Sequence, residues 1–260
     1  MKLNSLCLKT DLIFIKFDGE VINRETYQVV KCHSNPNFFW GNFLIFKNSP
    51  KIGDLENWKK IFKHEFTDPR IYHQTFAWDV EEVGEIIEFQ EDGFKLEKSL
   101  VLVAHKHQIK LPFKNHKTVE IAPLKGHDDW KLIIELQTRT NPQYGNFYQM
   151  QAITYQKMVA KNIGLWFGAY LDGKLVGSLG IFTDGNIGRF QIVSIDPTFQ
   201  RQGICGTLVF RASEYAFEKI GVETLVMVAD EEYHAAKIYE SVGFVSEEKM
   251  YGLCLYPDPR

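Results

Sequence analysis

The sequence predicts a mixed α/β fold in two domains, the second built on a sheet whose strands alternate with helices. Through that second part, apolar runs of strand length alternate with stretches of helical period. Leu165–Leu171 and Lys174–Phe182 are β-rich runs joined by Asp172-Gly173, a pair suited to a two-residue type I′ hairpin turn. A chain of 260 residues with 45% hydrophobic and 24% charged content can fill one or two cores, which excludes disordered and disulfide-scaffold classes.

In the first part the strand-like runs are Leu12–Phe17, Tyr27–Cys32, Phe43–Phe46, His73–Trp78 and Leu100–Ala104. Asp54–Phe66 has helical period, with Leu55, Trp58, Ile61, Phe62 and Phe66 on one face. Val80–Gln90 reads as a second helix, the acidic stretch 79–92 being its solvated face. Asn35–Phe43 is a turn running into an aromatic cluster; it reads as core, with a groove lined by Phe39 and Trp40 as the alternative. The linker-like segment 110–117, with Pro112 and its lysines, divides the chain into residues 1–115 and 116–260.

The second part opens with a strand at Lys117–Ala122 and a helix at Asp128–Gln137, where Trp130, Ile133, Ile134 and Gln137 lie on neighbouring turns. A Pro- and Gly-bearing loop at 139–148 leads to a helix at Met150–Lys161, then the hairpin, then a strand at Gly188–Ile195 ended by Asp196-Pro197. After Gly203, the residues Leu208, Val209, Ala212, Tyr215, Ala216 and Ile220 mark a helix. Thr224–Val228 is a buried-type strand, Glu232–Val242 a helix stopped by Gly243, and Phe244–Glu247 and Met250–Tyr256 are closing strands. The order is β-α-α-β-β-β-α-β-α-β-β.

The 30 basic and 33 acidic groups are interspersed, so no basic stripe offers itself to nucleic acid. Cys7, Cys32, Cys205 and Cys254 lie far apart without a Cys-x-x-Cys pair, as expected of free thiols in a reducing compartment. His105 and His107 could face one side of a strand, but with no third ligand near them they read as an exposed strand end, and no metal is expected. Lys9, Asp11 and Lys16 interrupt the N-terminal apolar stretch, and no run reaches membrane-spanning length. A cytoplasmic protein without a membrane partner is expected.

The stretch from Ile192 to Leu208 carries the chemistry. A strand ends at a Pro turn, a polar loop with Gly203 and Gly206 comes next, and an amphipathic helix begins, so successive N–H groups and the positive helix end point outward together. That is an anion cradle. It lacks the Gly-Lys-Ser/Thr of a nucleotide P-loop and the third glycine of a dinucleotide fingerprint, which leaves the diphosphate of another cofactor, or a plain glycine-turned helix start. A second pattern lies downstream, in the helix containing Ala235 and Tyr239 and its stop at Gly243-Phe244.

Together with the strand order, these two segments resemble the GNAT superfamily of acyl-CoA-dependent N-acetyltransferases. The family's Gln/Arg-x-x-Gly-x-Gly/Ala loop is matched by Gln200, Gly203 and, imperfectly, Cys205; its Ala-x-x-x-Tyr-x-x-x-Gly-Phe helix is matched by Ala235, Tyr239, Gly243 and Phe244. The resemblance covers 116–260 and implies a GNAT-like fold there, with acetyl-CoA as cosubstrate and a small-molecule or peptide amine as acceptor. It implies that the backbone of Val193 and Ile195 holds the acetyl carbonyl and the pantetheine arm. It likewise implies that the amides of Arg201, Gln202, Gly203, Ile204, Cys205, Gly206 and Thr207, with the side chains of Gln200 and Arg201, take the diphosphate. Tyr239 would protonate the departing thiolate; its alternative is a core aromatic beside Ile238 and Val242.

The sequence departs from the family at Glu232, where Asn is usual and a carboxylate would repel phosphates, and at Gln191 and Arg189, where a carboxylate base can stand. Glu135, a water chain or an amine that arrives neutral would then serve. Cys205, a thiol at a helix start, is expected to have a lowered pKa. The acceptor is expected from the side built by 139–150 and 244–256, with Tyr144, Phe147 and Tyr148 making it aromatic. The first 115 residues resemble a degenerate second copy that shapes the acceptor side. The rival reading is a non-catalytic acyl-CoA-binding sensor or interaction protein.

Overall fold

A computed structural model of the chain describes every residue except 125, 143–145, 232–234 and 257–260. It has two compact units, the first made of Met1–Val101, Asp230–Glu232 and the chain from Glu248 on, the second of Leu102–Ala229 and Tyr233–Glu247.

The first unit begins with helix α1 (Leu6–Asp18), where the sequence predicts a strand at Leu12–Phe17. Leu8, Leu12 and Ile15 are buried at helical spacing, and Ser5 caps the helix by accepting from the Leu8 N–H at 3.2 Å. Two carboxylates distant in sequence complete the cap. Asp79 accepts from the Asn4 and Ser5 amides, and Glu248 from those of Leu6 and Cys7. Neither partner is near the helix in sequence, so local periodicity could not reveal them.

Strands β1 (Gly19–Asn23), β2 (Tyr27–Cys32), β3 (Asn42–Phe46) and β4 (Gln74–Trp78) come next, with helix α2 (Asp54–Glu65) between the last two. Strands β1 to β3 pair antiparallel; β3 and β4 pair parallel. The core stacks Trp58 on Phe46 at 3.8 Å, with Phe76 and Phe89 edge-on to Trp58. Phe39 and Trp40 join interior packing, against His73 at 4.6 Å and Phe43 at 5.5 Å. The helix predicted over Val80–Gln90 shrinks to α3 (Ile87–Glu91). The backbone ahead of it is committed elsewhere: the Trp78 indole donates to the Glu82 carbonyl, the Glu85 N–H donates to Pro50, and Gly84 turns at φ 75°. Strand β5 (Lys95–His105) leads into the second unit.

There, β6 (Glu120–Pro123) precedes helices α4 (His127–Thr140) and α5 (Phe147–Ala160), then β7 (Gly164–Leu171), β8 (Lys174–Asp184) and β9 (Ile187–Ile195). Helix α6 (Ile204–Tyr215), strand β10 (Thr224–Asp230), helix α7 (Ala235–Val242) and strand β11 (Val245–Leu255) complete the order. Neighbours run β10-β9-β8-β7-β6. The hairpin turn is as the sequence predicts, Asp172 and Gly173 both at positive φ, 49° and 77°. The two closing strands are one continuous strand, because Ser246-Glu247-Glu248-Lys249 contains neither the Gly nor the Pro that would break it.

His73 makes the first unit acid-sensitive. Burial lowers its pKa to about 4, while its Nε2 lies 3.0 Å from the Asn42 carbonyl. Between that value and an unfolded value near about 6.5, the unfolded chain binds the proton and the native one does not, so stability falls as pH drops through this window. The loss from pH 7 to pH 4 should be roughly 3 kcal/mol by that linkage. Urea unfolding at the two pH values should show it, and a His73→Phe variant should lose most of the difference.

Candidate functional site

Strand β9 is paired along its whole length on one side and only part of it on the other. Against β8 its register runs from Asp184↔Ile187 to Gly177↔Ile195, whereas against β10 it stops at Val226↔Arg189. From Phe190 onward the two parallel strands splay, which leaves backbone N–H and C=O groups of β9 on an open edge. A bulge shapes this stretch. The register against β8 shifts between Ser178 and Gly180, and Ile192 stands at φ 44°, costly for a β-branched residue. Val193 comes directly after Ile192 in the bulge, and Ile195 ends the strand.

The loop after β9 is fixed by a buried carboxylate. Asp196 accepts from the Thr198 N–H at 3.0 Å and hydroxyl at 2.7 Å, and from Arg139 at the end of α4 at 2.7 Å. Burial works to raise its pKa, but the Thr198 and Arg139 donors outweigh it and hold the carboxyl below the usual range. Gln200 donates to the Ile195 carbonyl at 3.4 Å, Arg201 is exposed at φ 60°, and Gly203 turns into α6 at φ 85°. The helical ladder begins where the Thr207 N–H meets the Gly203 carbonyl at 3.1 Å, so the N–H groups of Ile204, Cys205 and Gly206 lie ahead of it, as at every helix start. Ile204 and Thr207 are themselves buried, and Gln202 is exposed.

A strap formed by the segment before β6 flanks this helix start. A Cβ on Gly203 would stand 2.8 Å from the Asn115 carbonyl carbon, and one on Gly206 would stand 2.9 Å from the Pro112 ring. Thr207 latches the strap, its hydroxyl donating to the Gly203 carbonyl at 3.0 Å while accepting the His116 N–H at 2.9 Å. Lys110 donates to the Val242 carbonyl at 2.9 Å, tying the strap to the end of α7. Asn115 closes the turn within it through the Pro112 and Phe113 carbonyls. Glycines at 203 and 206 are what let a backbone pass this close.

Tyr239 lies buried on α7, which packs on α6 with Ile238 beside Gly206. Its carbonyl accepts from the Phe244 N–H at 3.1 Å, closing the helix at Gly243. Cys205 corrects the sequence expectation: burial pushes its thiol up to about 12, so the effect of the helix start does not prevail. Glu135 is exposed, on the side of α4 opposite the buried Ile133 and Gln137, and so does not face the sheet as a base must. Gln191 points instead to α5, donating to the Tyr155 hydroxyl at 2.8 Å. Arg189 is buried, its Nε donating to the Phe190 carbonyl. Phe147 and Tyr148 pack on each other at 5.5 Å with Tyr148 buried; Tyr144 and Glu232 lie outside the described residues.

His105 and His107 are parallel at 6.1 Å, with the His105 Nδ1 at 3.1 Å from the Glu223 carbonyl. Among the described residues, no group of three or more His, Cys, Asp or Glu is placed to hold a metal ion, and no helix is long and apolar enough to cross a membrane. Two features escaped the sequence reading, the Arg139–Asp196 pair and the strap. The only sequence signal for the strap was the glycine at 206, and it gains meaning only once Pro112 is seen against it.

A helix pair, a splayed parallel strand pair and a glycine-turned helix start thus stand together in the second unit. Residues 130–244 match the model of the acetyltransferase (GNAT) family, and the chain carries a domain of that family. Family membership supports acyl transfer and the use of an acyl-CoA. The fold is shared with a functionally unknown conserved protein from Staphylococcus epidermidis at 18% identity and a TM-score of 0.76, covering 94% of this chain and 96% of that one. A GCN5-related N-acetyltransferase from Kribbella flavida is similar at 13% identity and a TM-score of 0.69, covering 97% and 96%. A tandem GNAT protein from the clavulanic acid biosynthesis pathway is similar at 11% identity and a TM-score of 0.56, covering 90% and 83%. Among curated proteins nothing matches.

Two outcomes test the geometry. Gly203→Ala should destabilise by about 1–3 kcal/mol, since the new Cβ meets both a positive φ and the Asn115 backbone; an unchanged urea midpoint would contradict it. Thr207→Val removes the hydroxyl that holds His116, so hydrogen–deuterium exchange at the His116 amide should accelerate while the β8 amides keep their protection.

Proposed function

We propose that the second unit is an N-acetyltransferase that moves the acetyl group of acetyl-CoA to a primary amine by direct attack in a ternary complex. The observation that carries this reading is the open edge of β9 leading straight into the helix start after Gly203. An amide-bearing pantetheine arm can pair with the edge at Val193 and Ile195, and a diphosphate can accept from the amides between Arg201 and Thr207. Gln200 and Arg201 would stand at the rim. The amine nitrogen bonds to the thioester carbonyl carbon while β9 amides hold the charge growing on its oxygen. The C–S bond then breaks, the thiolate takes the Tyr239 phenol proton, and the proton left on nitrogen goes to water.

Gln191 and Arg189 cannot act as carboxylate bases, so the amine arrives neutral in this scheme. We place the activity in residues 116–260, with no metal, nucleic acid or membrane involved and a cytoplasmic location. The first unit runs α1-β1-β2-β3-α2-β4-α3-β5, an order that parallels α5-β7-β8-β9-α6-β10-α7-β11. This supports a degenerate copy with a structural or acceptor-shaping role. Gln191 and Arg189 at the base positions also favour a second reading, a sensor that binds acetyl-CoA without turnover.

Release of CoA from acetyl-CoA over a panel of primary amines separates the two. An enzyme releases CoA with at least one amine, and Tyr239→Phe lowers its kcat by about a hundredfold while leaving acetyl-CoA affinity within about twofold. A sensor binds acetyl-CoA and releases none.

A further inference from the structure

The strap ahead of β6 carries two side chains that its own packing does not use. Phe113 is wholly exposed, at 104%, although Pro112 beside it is buried. Lys114 follows, also exposed. From Lys106 to Lys117 the chain has four lysines, all exposed, and no Asp or Glu, a local reversal in a molecule of net charge −3. A single exposed ring is ordinary on a protein surface, so the place of this one has to carry the argument.

That place is the first turn of α6. The Asn115 side-chain amide donates to the Pro112 carbonyl at 2.8 Å and to the Phe113 carbonyl at 3.2 Å, tying 112–115 into one turn. On one side of the turn, a Cβ on Gly206 would meet the Pro112 ring at 2.9 Å and Ile238 of α7 at 3.7 Å, so Pro112 sits where α6 faces α7. On the other side, a Cβ on Gly203 would meet the Lys114 carbonyl oxygen at 3.0 Å, and the Thr207 hydroxyl accepts the His116 N–H at 2.9 Å. Phe113 and Lys114 are therefore held between anchored residues, next to the N–H groups of Ile204, Cys205 and Gly206 that lie ahead of the helical ladder. The strap lies outside residues 130–244, which match the family model, so what it adds at this helix start belongs to this chain.

We propose that the strap turn is the subsite for the nucleotide end of the acyl-CoA, with Phe113 stacking on the adenine and Lys114 pairing with the 3′-phosphate. A diphosphate seated on the α6 amides leaves a phosphorylated adenosine beyond them, which has a flat π-face and a phosphomonoester carrying nearly two charges at neutral pH. Phe113 supplies a ring for the first and Lys114 a mobile point charge for the second. Stacking accepts any base, so the phosphate contact is what distinguishes this ligand from other adenine nucleotides. The acid-free stretch around the turn leaves no neighbouring carboxylate on the strap to oppose that phosphate. This inference rests on the acetyltransferase reading for the identity of its ligand.

The test is calorimetric titration of the full chain, and of its Lys114→Gln, Phe113→Ser and Phe113→Tyr variants, with acetyl-CoA and with its 3′-dephospho form. Both side chains are exposed, so each variant should keep the wild-type thermal midpoint. At low salt the wild type should bind acetyl-CoA about fivefold more tightly than the dephospho form, and high salt should erase the difference. Lys114→Gln should lose that preference by weakening acetyl-CoA alone, as a pairwise contact requires. Phe113→Ser should weaken both forms by about tenfold, and Phe113→Tyr, which keeps the ring, should restore them. Equal affinity for the two forms in the wild type, an unchanged preference in Lys114→Gln or wild-type affinity in Phe113→Ser would overturn the subsite and leave the cofactor reading standing. Hydrogen–deuterium exchange adds a check on the strap itself: a His116 amide that loses protection when acetyl-CoA binds would show the strap pushed aside and would overturn the subsite as well. If the wild type binds neither form at millimolar concentration, the cofactor reading and the subsite both fail.

Discussion

The chemistry proposed for the second unit depends on where β9 and β10 part. Parallel strands that paired to their ends would satisfy each other and present nothing. Here the pairing stops at Arg189, and the remaining backbone of β9 keeps the groups that a sheet normally consumes. Within this stretch the bulge sets Ile192 at a positive φ, which at a β-branched residue persists only where the surrounding structure holds it. The Phe190 ring, where the strand diverges, meets Phe244 edge-on at 5.7 Å.

Beyond β9 the chain is organised by charge and by glycine. Asp196 draws three donors from two directions, fixing both the turn into the loop and the end of α4. One carboxylate therefore links the helix expected to meet the acceptor with the loop expected to meet the cofactor. Gly203 and Gly206 then admit the strap against the first turn of α6, so this helix start is bounded by protein backbone on one flank. At the same helix start, desolvation raises the Cys205 thiol and the helix end does not lower it.

The site's outline was legible in the sequence because it is local: strand, Asp196-Pro197, Gly203 and helix succeed one another along the chain. The hairpin at Asp172-Gly173 was legible for the same reason. Features that depend on distant partners were not. Helix α1 reads as a strand until Asp79 and Glu248 are seen at its N-terminus, and the predicted helix at Val80–Gln90 gives way because Pro50 and Trp78 take its backbone groups.

Hydrogen–deuterium exchange with and without acetyl-CoA addresses the open strand edge most directly. The account predicts that the cofactor protects peptides covering Phe190–Thr207, where β9 amides and the first turn of α6 acquire new acceptors, while β8 and β7 stay unchanged. Exchange in Phe190–Thr207 that is identical with and without millimolar acetyl-CoA would contradict the claim that this edge and helix start hold an acyl-CoA.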